Sequence, residues 1–293
     1  MCPDKMPPRL SKALPDIYIL LTSRASANHD FPLSILRKSA AQARSGGAHR
    51  IELCANLAQG GVTPSIGDIE GALLAVKGSR TRVHVLIRPR PRDFVYSPLE
   101  KQVMERDVLA AVKAGAHGVV IGALLEDGSI DQETTERLVQ AAAAEVETAG
   151  ASVTTAEKCS ITFHRAFDCC TTEPLEALET LIRLGVDRVL TSGREASAWD
   201  GRAVISRLVE ASDGRIAIMP GAGVTRDNAK QLLLLTGARE VHVGSACQEL
   251  VPRAGPRQGA AVSLGFVSEG SVSEQVTAHR VLEMLETLGQ EPA

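Results

Sequence analysis

"PLEALETLIRLGVDRVLTSG", residues 174–193, spells a helix, a stop and a strand in one short run. Pro174 suits a first helical turn, where its missing N–H costs nothing. Leu175, Leu178, Leu181 and Ile182 recur at helical spacing and share one face. Gly185 then supplies the left-handed residue that closes a helix. "RVLTSG" (188–193) follows as an apolar, β-branched strand. The same junction returns in "SGGAHRIEL" (45–53), "KAGAHGVVI" (113–121) and "TGAREVHVG" (236–244). Parallel strands need helical crossovers, so these junctions predict repeated βα units. Strands are expected at 17–21, 50–54, 83–89, 118–124, 160–167, 188–193, 215–221 and 240–246. The class is therefore α/β, and eight such units predict a single (β/α)8 TIM barrel. A doubly wound open sheet is the alternative. It lacks support because no G-x-G-x-x-G follows the first strand.

The chain has 293 residues, 44% of them hydrophobic, which is enough to bury a core without disulfide staples. Residues 1–15 are expected to be a disordered tail, and 16–290 the barrel domain. Surface loops are expected at 22–33 and 147–158, both poor in large apolar residues. The net charge is −3 and aromatics make up 3%, which argues against a nucleic-acid partner. The apolar run near residue 17 is too short to span a membrane, and the prolines before it make a poor signal peptide. A soluble cytoplasmic protein is expected. Cys2, Cys54, Cys159, Cys169, Cys170 and Cys247 form no CxxC pair and no zinc-ribbon spacing.

In this barrel class chemistry sits at the C-terminal strand ends. Polar residues collect there. Glu52 and Cys54 are two apart and share a face. "IRPRPRD" (87–93) brings Arg88 and Arg90, "ITFHRAFD" (161–168) brings His164, Arg165 and Asp168, and the eighth strand brings His242, Gly244 and Ser245. Period two puts His164 and Asp168 on one face and makes Arg165 a clamp between strands. Each residue also has a bland reading: Glu52 as a structural ion pair with Arg88, His164 or His242 as a core histidine, Cys54 as a small buried side chain. His29, His49, His84, His117 and His279 read as structural or exposed.

"PGAGVTRDN" (220–228) suggests an anion cradle. Gly221 and Gly223 would let the backbone approach a ligand, and Thr225 would cap the following helix. Together with Ser245 this is where the fold commonly holds phosphate.

"GGAHRIELCANLAQGGVTPS", "IRPRPRDFVYS", "GALLEDGSID", "TFHRAFD" and "MPGAGVT" resemble the CutC family, described as copper homeostasis proteins. The resemblance runs from about residue 40 to residue 250. It implies a (β/α)8 barrel, a cytoplasmic location, a homo-oligomer, and Cu(I) bound through cysteine, at Cys54 here. Members usually begin with a strand like Glu-Val-Cys that adds a second cysteine. The corresponding strand here, "IYILL" (17–21), has none.

Two functions follow. One is copper homeostasis with Cu(I) as the ion carried, since Cu(I) prefers soft thiolates. The other is an enzyme acting on a small anionic or phosphorylated ligand. His164, Asp168 and Glu52 would supply acid–base chemistry, while Arg88, Arg90, Gly221, Gly223 and Ser245 would hold the anion. No organic cofactor is indicated.

Overall fold

The computed structural model describes residues 16–23, 32–148, 158–252 and 272–289. The expected tail, 1–15, and most of the two expected loops lie outside the described residues. Strands and helices alternate: β1 (Asp16–Ser23), α1 (Pro32–Ser45), β2 (Arg50–Ala55), α2 (Ile66–Val76), β3 (Arg82–Leu86), α3 (Pro98–Lys113), β4 (Gly118–Ile121), α4 (Gln132–Thr148) and β5 (Ser160–Phe163). The series continues with α5 (Pro174–Arg183), β6 (Arg188–Thr191), α6 (Arg202–Ser212), β7 (Ala217–Pro220), α7 (Arg226–Thr236) and β8 (Glu240–Val243). A two-stranded ribbon, β9 (Gln248–Pro252) and β10 (Val272–Val276), precedes α8 (Ala278–Leu288).

Among the described residues, β1–β8 form one parallel sheet in the order β7-β6-β5-β4-β3-β2-β1-β8. The sheet curls until its edge strands β7 and β8 meet. No backbone ladder joins those two edges among the described residues.

The pleat sorts the side chains. Ile51, Leu53, Val83, Val85, Val119, Ile161, Phe163, Val189, Val241 and Val243 belong to the main core with helix residues such as Ala43, Ile69, Met104, Val108, Leu138, Leu178, Leu181, Ile205 and Leu232. The intervening residues form separate small clusters, Leu190 with Met219 and Cys54 with Leu86 and Val120. Helix ends follow the sequence signals. Ser97 and Glu100 close a capping box at the start of α3, with Pro98 in its first turn. Gly185 takes φ 78° just past α5.

The strands are shorter than the sequence suggests. The expected strand 160–167 ends at Phe163, and Arg165–Cys169 forms a 3-10 turn. The expected strand 83–89 ends at Leu86. Both ends carry polar side chains that bond into turns and loops, although the Ile87 and His164 N–H groups still donate to the β4 carbonyls of Val120 and Ile121.

At the N-terminal end of the strands, Arg188 donates from Nε and Nη2 to Glu240 at 2.8 and 3.2 Å, and from Nη1 to Ser160 at 2.7 Å. Arg50 reaches the same carboxylate at 3.5 Å. His84 lies buried beside them. Burial, and then the charge of Arg188, hold its pKa well below the ordinary 6.5.

Candidate functional site

A cavity of about 400 Å³ opens at the C-terminal end of the strands. Its polar lining includes Glu52, Arg88, His164, Arg165, His242 and Ser245, and its apolar lining includes Cys54, Leu57, Leu86, Phe94, Leu190 and Val224. Glu52 and Cys54 both line it, as their spacing on β2 predicts.

His164 is buried and its ring state is fixed by its neighbours. Nδ1 accepts a hydrogen bond from the Ala166 N–H at 3.1 Å, so the ring proton belongs on Nε2. Nε2 is buried without a hydrogen-bond partner. Burial, and then the charge of Arg88, push the pKa down to about 3, so the ring is neutral across the physiological range. Phe94 packs on it at 4.9 Å between ring centroids. Gly122 makes the placement possible, because a Cβ there would lie 2.3 Å from His164 Cε1.

Glu52 and His242 form a second pair. Their Oε2 and Nε2 atoms lie 3.1 Å apart. The alignment is too poor for a hydrogen bond, and neither atom has another partner. His242 joins the site with a clarity its sequence position does not give. Its partner Glu52 is far away in the chain, and the two meet because β1 pairs with both β2 and β8.

Arg88 has a mixed commitment. Nη1 donates to the carbonyls of Gly60 (3.0 Å) and Gly61 (2.8 Å), and Nη2 donates to that of Arg92 (2.7 Å). These bonds clamp the loop after β2. Its buried Nε has no partner.

Asp168 falls outside the cavity lining and does not join His164 and Glu52 there as acid–base chemistry would require. Its carboxylate accepts from Thr191 Oγ1, from the Ser192 N–H at 3.0 Å, from Ser192 Oγ at 3.0 Å, from the Arg194 N–H at 3.2 Å and from Arg165 Nε at 2.8 Å. Period two fails here because the chain leaves the strand at His164 and coils. Asp168 instead ties the ends of β5 and β6 together. Arg165 completes that tie through Ser192 Oγ at 3.0 Å, in line with the clamp its position suggests.

Arg90 also falls outside the cavity lining. It donates to Glu100 at 2.6 Å, to Asp93 Oδ1 at 2.9 Å and to the Val95 carbonyl at 2.6 Å. Beyond Leu86 the chain is loop, so alternation no longer places Arg90 beside Arg88.

The glycine turn is used differently from the expectation. Gly221 is needed for packing: a Cβ there would lie 2.5 Å from Leu190 Cδ1. Ala222 and Gly223 have φ 75° and 68°, and both line the cavity with Gly244 and Ser245. The N–H of Thr225 is taken by Asn228 Oδ1 at 2.9 Å.

Residues 35–247 match the model of the CutC family. The chain belongs to the CutC family. A CutC family protein of Parabacteroides distasonis is 42% identical over 208 residues, 71% of this chain and 79% of that protein. The human copper homeostasis protein cutC homolog is 45% identical over 206 residues, 70% of this chain and 68% of that one. The solved structure of CutC from Streptococcus agalactiae superposes with a TM-score of 0.65 at 30% identity, over 79% of this chain and 98% of that chain. KGPDC from Streptococcus mutans superposes at 0.53 with 11% identity, a likeness of fold alone.

The donor set for a cuprous ion is thin. Cys54 lies buried among Leu86, Val120 and Leu57. In the register with β1 the residue opposite Cys54 is Thr22, so β1 brings no second cysteine there. Cys169, Cys170 and Cys247 do not line the cavity, and burial pushes the Cys247 thiol up to about 12. Among the described residues no cluster of three His, Cys, Asp or Glu side chains is placed to hold a metal.

Proposed function

We propose that this CutC-family chain is an acid–base enzyme, a closed (β/α)8 barrel that takes a small anionic molecule into its rim cavity. One observation carries the reading. Glu52 Oε2, His164 Nε2, His242 Nε2 and Arg88 Nε are buried, lack hydrogen-bond partners, and belong to residues around one cavity. Unpaired buried polar atoms cost free energy, and a bound molecule that draws these side chains toward it would repay that cost. Glu52 would take the proton, with His242 beside it. His164 would donate a neutral N–H. Gly223 and Ser245 would receive the anionic group, with Arg88 and Arg165 supplying positive charge.

A thermal-shift panel of sugar phosphates and small carboxylates tests this. At least one member should raise the melting temperature, as any ligand of the folded state does. Silence across the panel, together with tight Cu(I) binding, would sink it.

Copper carriage is the second reading. Family membership and the place of Cys54 in the cavity wall favour it. Cu(I) would then be the ion carried, with Cys54 as its thiolate. Competition against a Cu(I) chelator should show weaker binding in Cys54→Ser; equal affinity removes the reading. On family grounds we also take the protein to be cytoplasmic and homo-oligomeric, which cell fractionation and light scattering would check.

A further inference from the structure

The reading of the cavity as an acid–base site leaves the reaction class open, and the residues narrow it. His164 and Glu52 stand on different walls, with β3 and β4 between their strands. His164 presents a ring whose only proton is on Nε2, because Nδ1 is occupied as an acceptor from Ala166. Such a ring donates a hydrogen bond and gives up no proton at neutral pH. It suits an oxygen that gains negative charge during reaction, such as a carbonyl becoming an enolate. Glu52 offers a carboxylate oxygen that nothing in the chain saturates. It suits a proton that must leave carbon. A phosphoryl-transfer site needs several cations. The Arg88 head group is largely spent on Gly60, Gly61 and Arg92, and Arg165 on Asp168 and Ser192. What remains is one carboxylate base with His242 beside it and one neutral donor, around a partly apolar cavity.

Resting on the acid–base reading above, we infer that the cavity enolises a small anionic carbonyl compound, with Glu52 as base and His164 as the neutral donor to the carbonyl oxygen. The Glu52 carboxylate takes the proton from the carbon next to the carbonyl. The C–H electron pair becomes the new C=C bond, and the carbonyl π pair moves onto oxygen. His164 Nε2–H meets that negative charge. Glu52 exchanges the proton with solvent and returns one to carbon, which regenerates the enzyme. No oxidant, metal or organic cofactor is needed for the balance. The low pKa of His164 is consistent with this role, since an imidazolium would not persist there. Triosephosphate isomerase likewise combines a glutamate base with a neutral histidine.

The experiment is carbon-bound hydrogen exchange in D2O, followed by proton NMR. The probes are dihydroxyacetone phosphate, ribulose 5-phosphate, pyruvate and 2-oxobutyrate, each also run in the thermal-shift assay. The full-length protein should accelerate exchange in at least one probe. Glu52→Gln should lose about 100-fold or more of that rate. His164→Ala should lose about 100-fold, and His164→Gln, which keeps a neutral N–H, should recover part of it. Glu52→Asp keeps the charge but withdraws it, and should fall between wild type and Glu52→Gln; it serves if the glutamine variant does not fold. A probe that raises the melting temperature yet exchanges at the buffer rate overturns the enolisation and leaves the anion site standing. Wild-type rates in Glu52→Gln overturn it as well. If no probe shifts the melting temperature, the anion site falls and the enolisation with it.

Discussion

At the N-terminal end of the strands, Glu240 receives two bonds from Arg188 and a longer contact from Arg50, and Ser160 takes another Arg188 donor. At the C-terminal end, Glu52 and His242 come within 3.1 Å without a hydrogen bond, and His164 buries an idle Nε2. Both ends place charge inside the same curled sheet. The Arg188–Glu240 pair at the floor is fully hydrogen-bonded, while the Glu52–His242 pair at the rim is not, at a cost to stability. Such a cost is borne where function requires it.

That contrast can be broken by mutation, and the floor should give the largest effect. Glu240→Ala strands Arg188 in the interior and should destabilise by about 3–5 kcal/mol in urea unfolding. A loss below about 1 kcal/mol would mean the floor is no more committed than the rim. Gly122→Ala comes next. Its methyl would collide with the His164 ring, costing about 1–3 kcal/mol and abolishing ligand-induced thermal shifts. Retained shifts would mean the ring has room to move.

Acid should expose both ends together. His84 and His164 have folded pKa values below the unfolded 6.5, so the unfolded chain binds more protons in acid. Their contribution is intact above pH 6.5 and is lost as pH falls below it, for His164 down to about 3. The slope is about 1.4 kcal/mol per pH unit for each histidine. Melting temperatures from pH 7 to 5 should fall, and fall less steeply in His164→Gln. An unchanged slope would remove His164 from the account.

Glu52→Gln should change stability by less than about 1 kcal/mol, in either direction, because the rim carboxylate is poorly paired. Arg90→Ala should be the quietest at the site. It loosens the loop before α3 but should leave ligand affinity at the wild-type level, as titration calorimetry would show.

The fold was legible wherever local signals were strong. Gly185, Pro174 and the leucines of α5 mark a unit whose period and caps agree. Glu52 and Cys54 were legible as a pair because both sit inside a regular strand, where alternation holds. Arg90 and Asp168 were misread because they lie past the strand ends. In a coil, the nearest donors and acceptors decide where a side chain points, and no sequence period reports them. The contact of His242 with Glu52 depends on the last strand of the sheet pairing with the first, which no stretch of β8 encodes. The neutral state of His164 depends on one backbone N–H in the turn that follows it.

The seam between β7 and β8 gives the sheet a built-in weak line. The amide hydrogens along those two facing edges should exchange with solvent sooner than their counterparts in β3 and β4. The turns that leave these strands, at Ala222–Gly223 and Gly244–Ser245, both reach the cavity. A molecule gripped by both turns would act as a clasp across the seam. Occupancy would then be readable far from the chemistry, as slowed deuterium uptake along two strands that the molecule hardly touches.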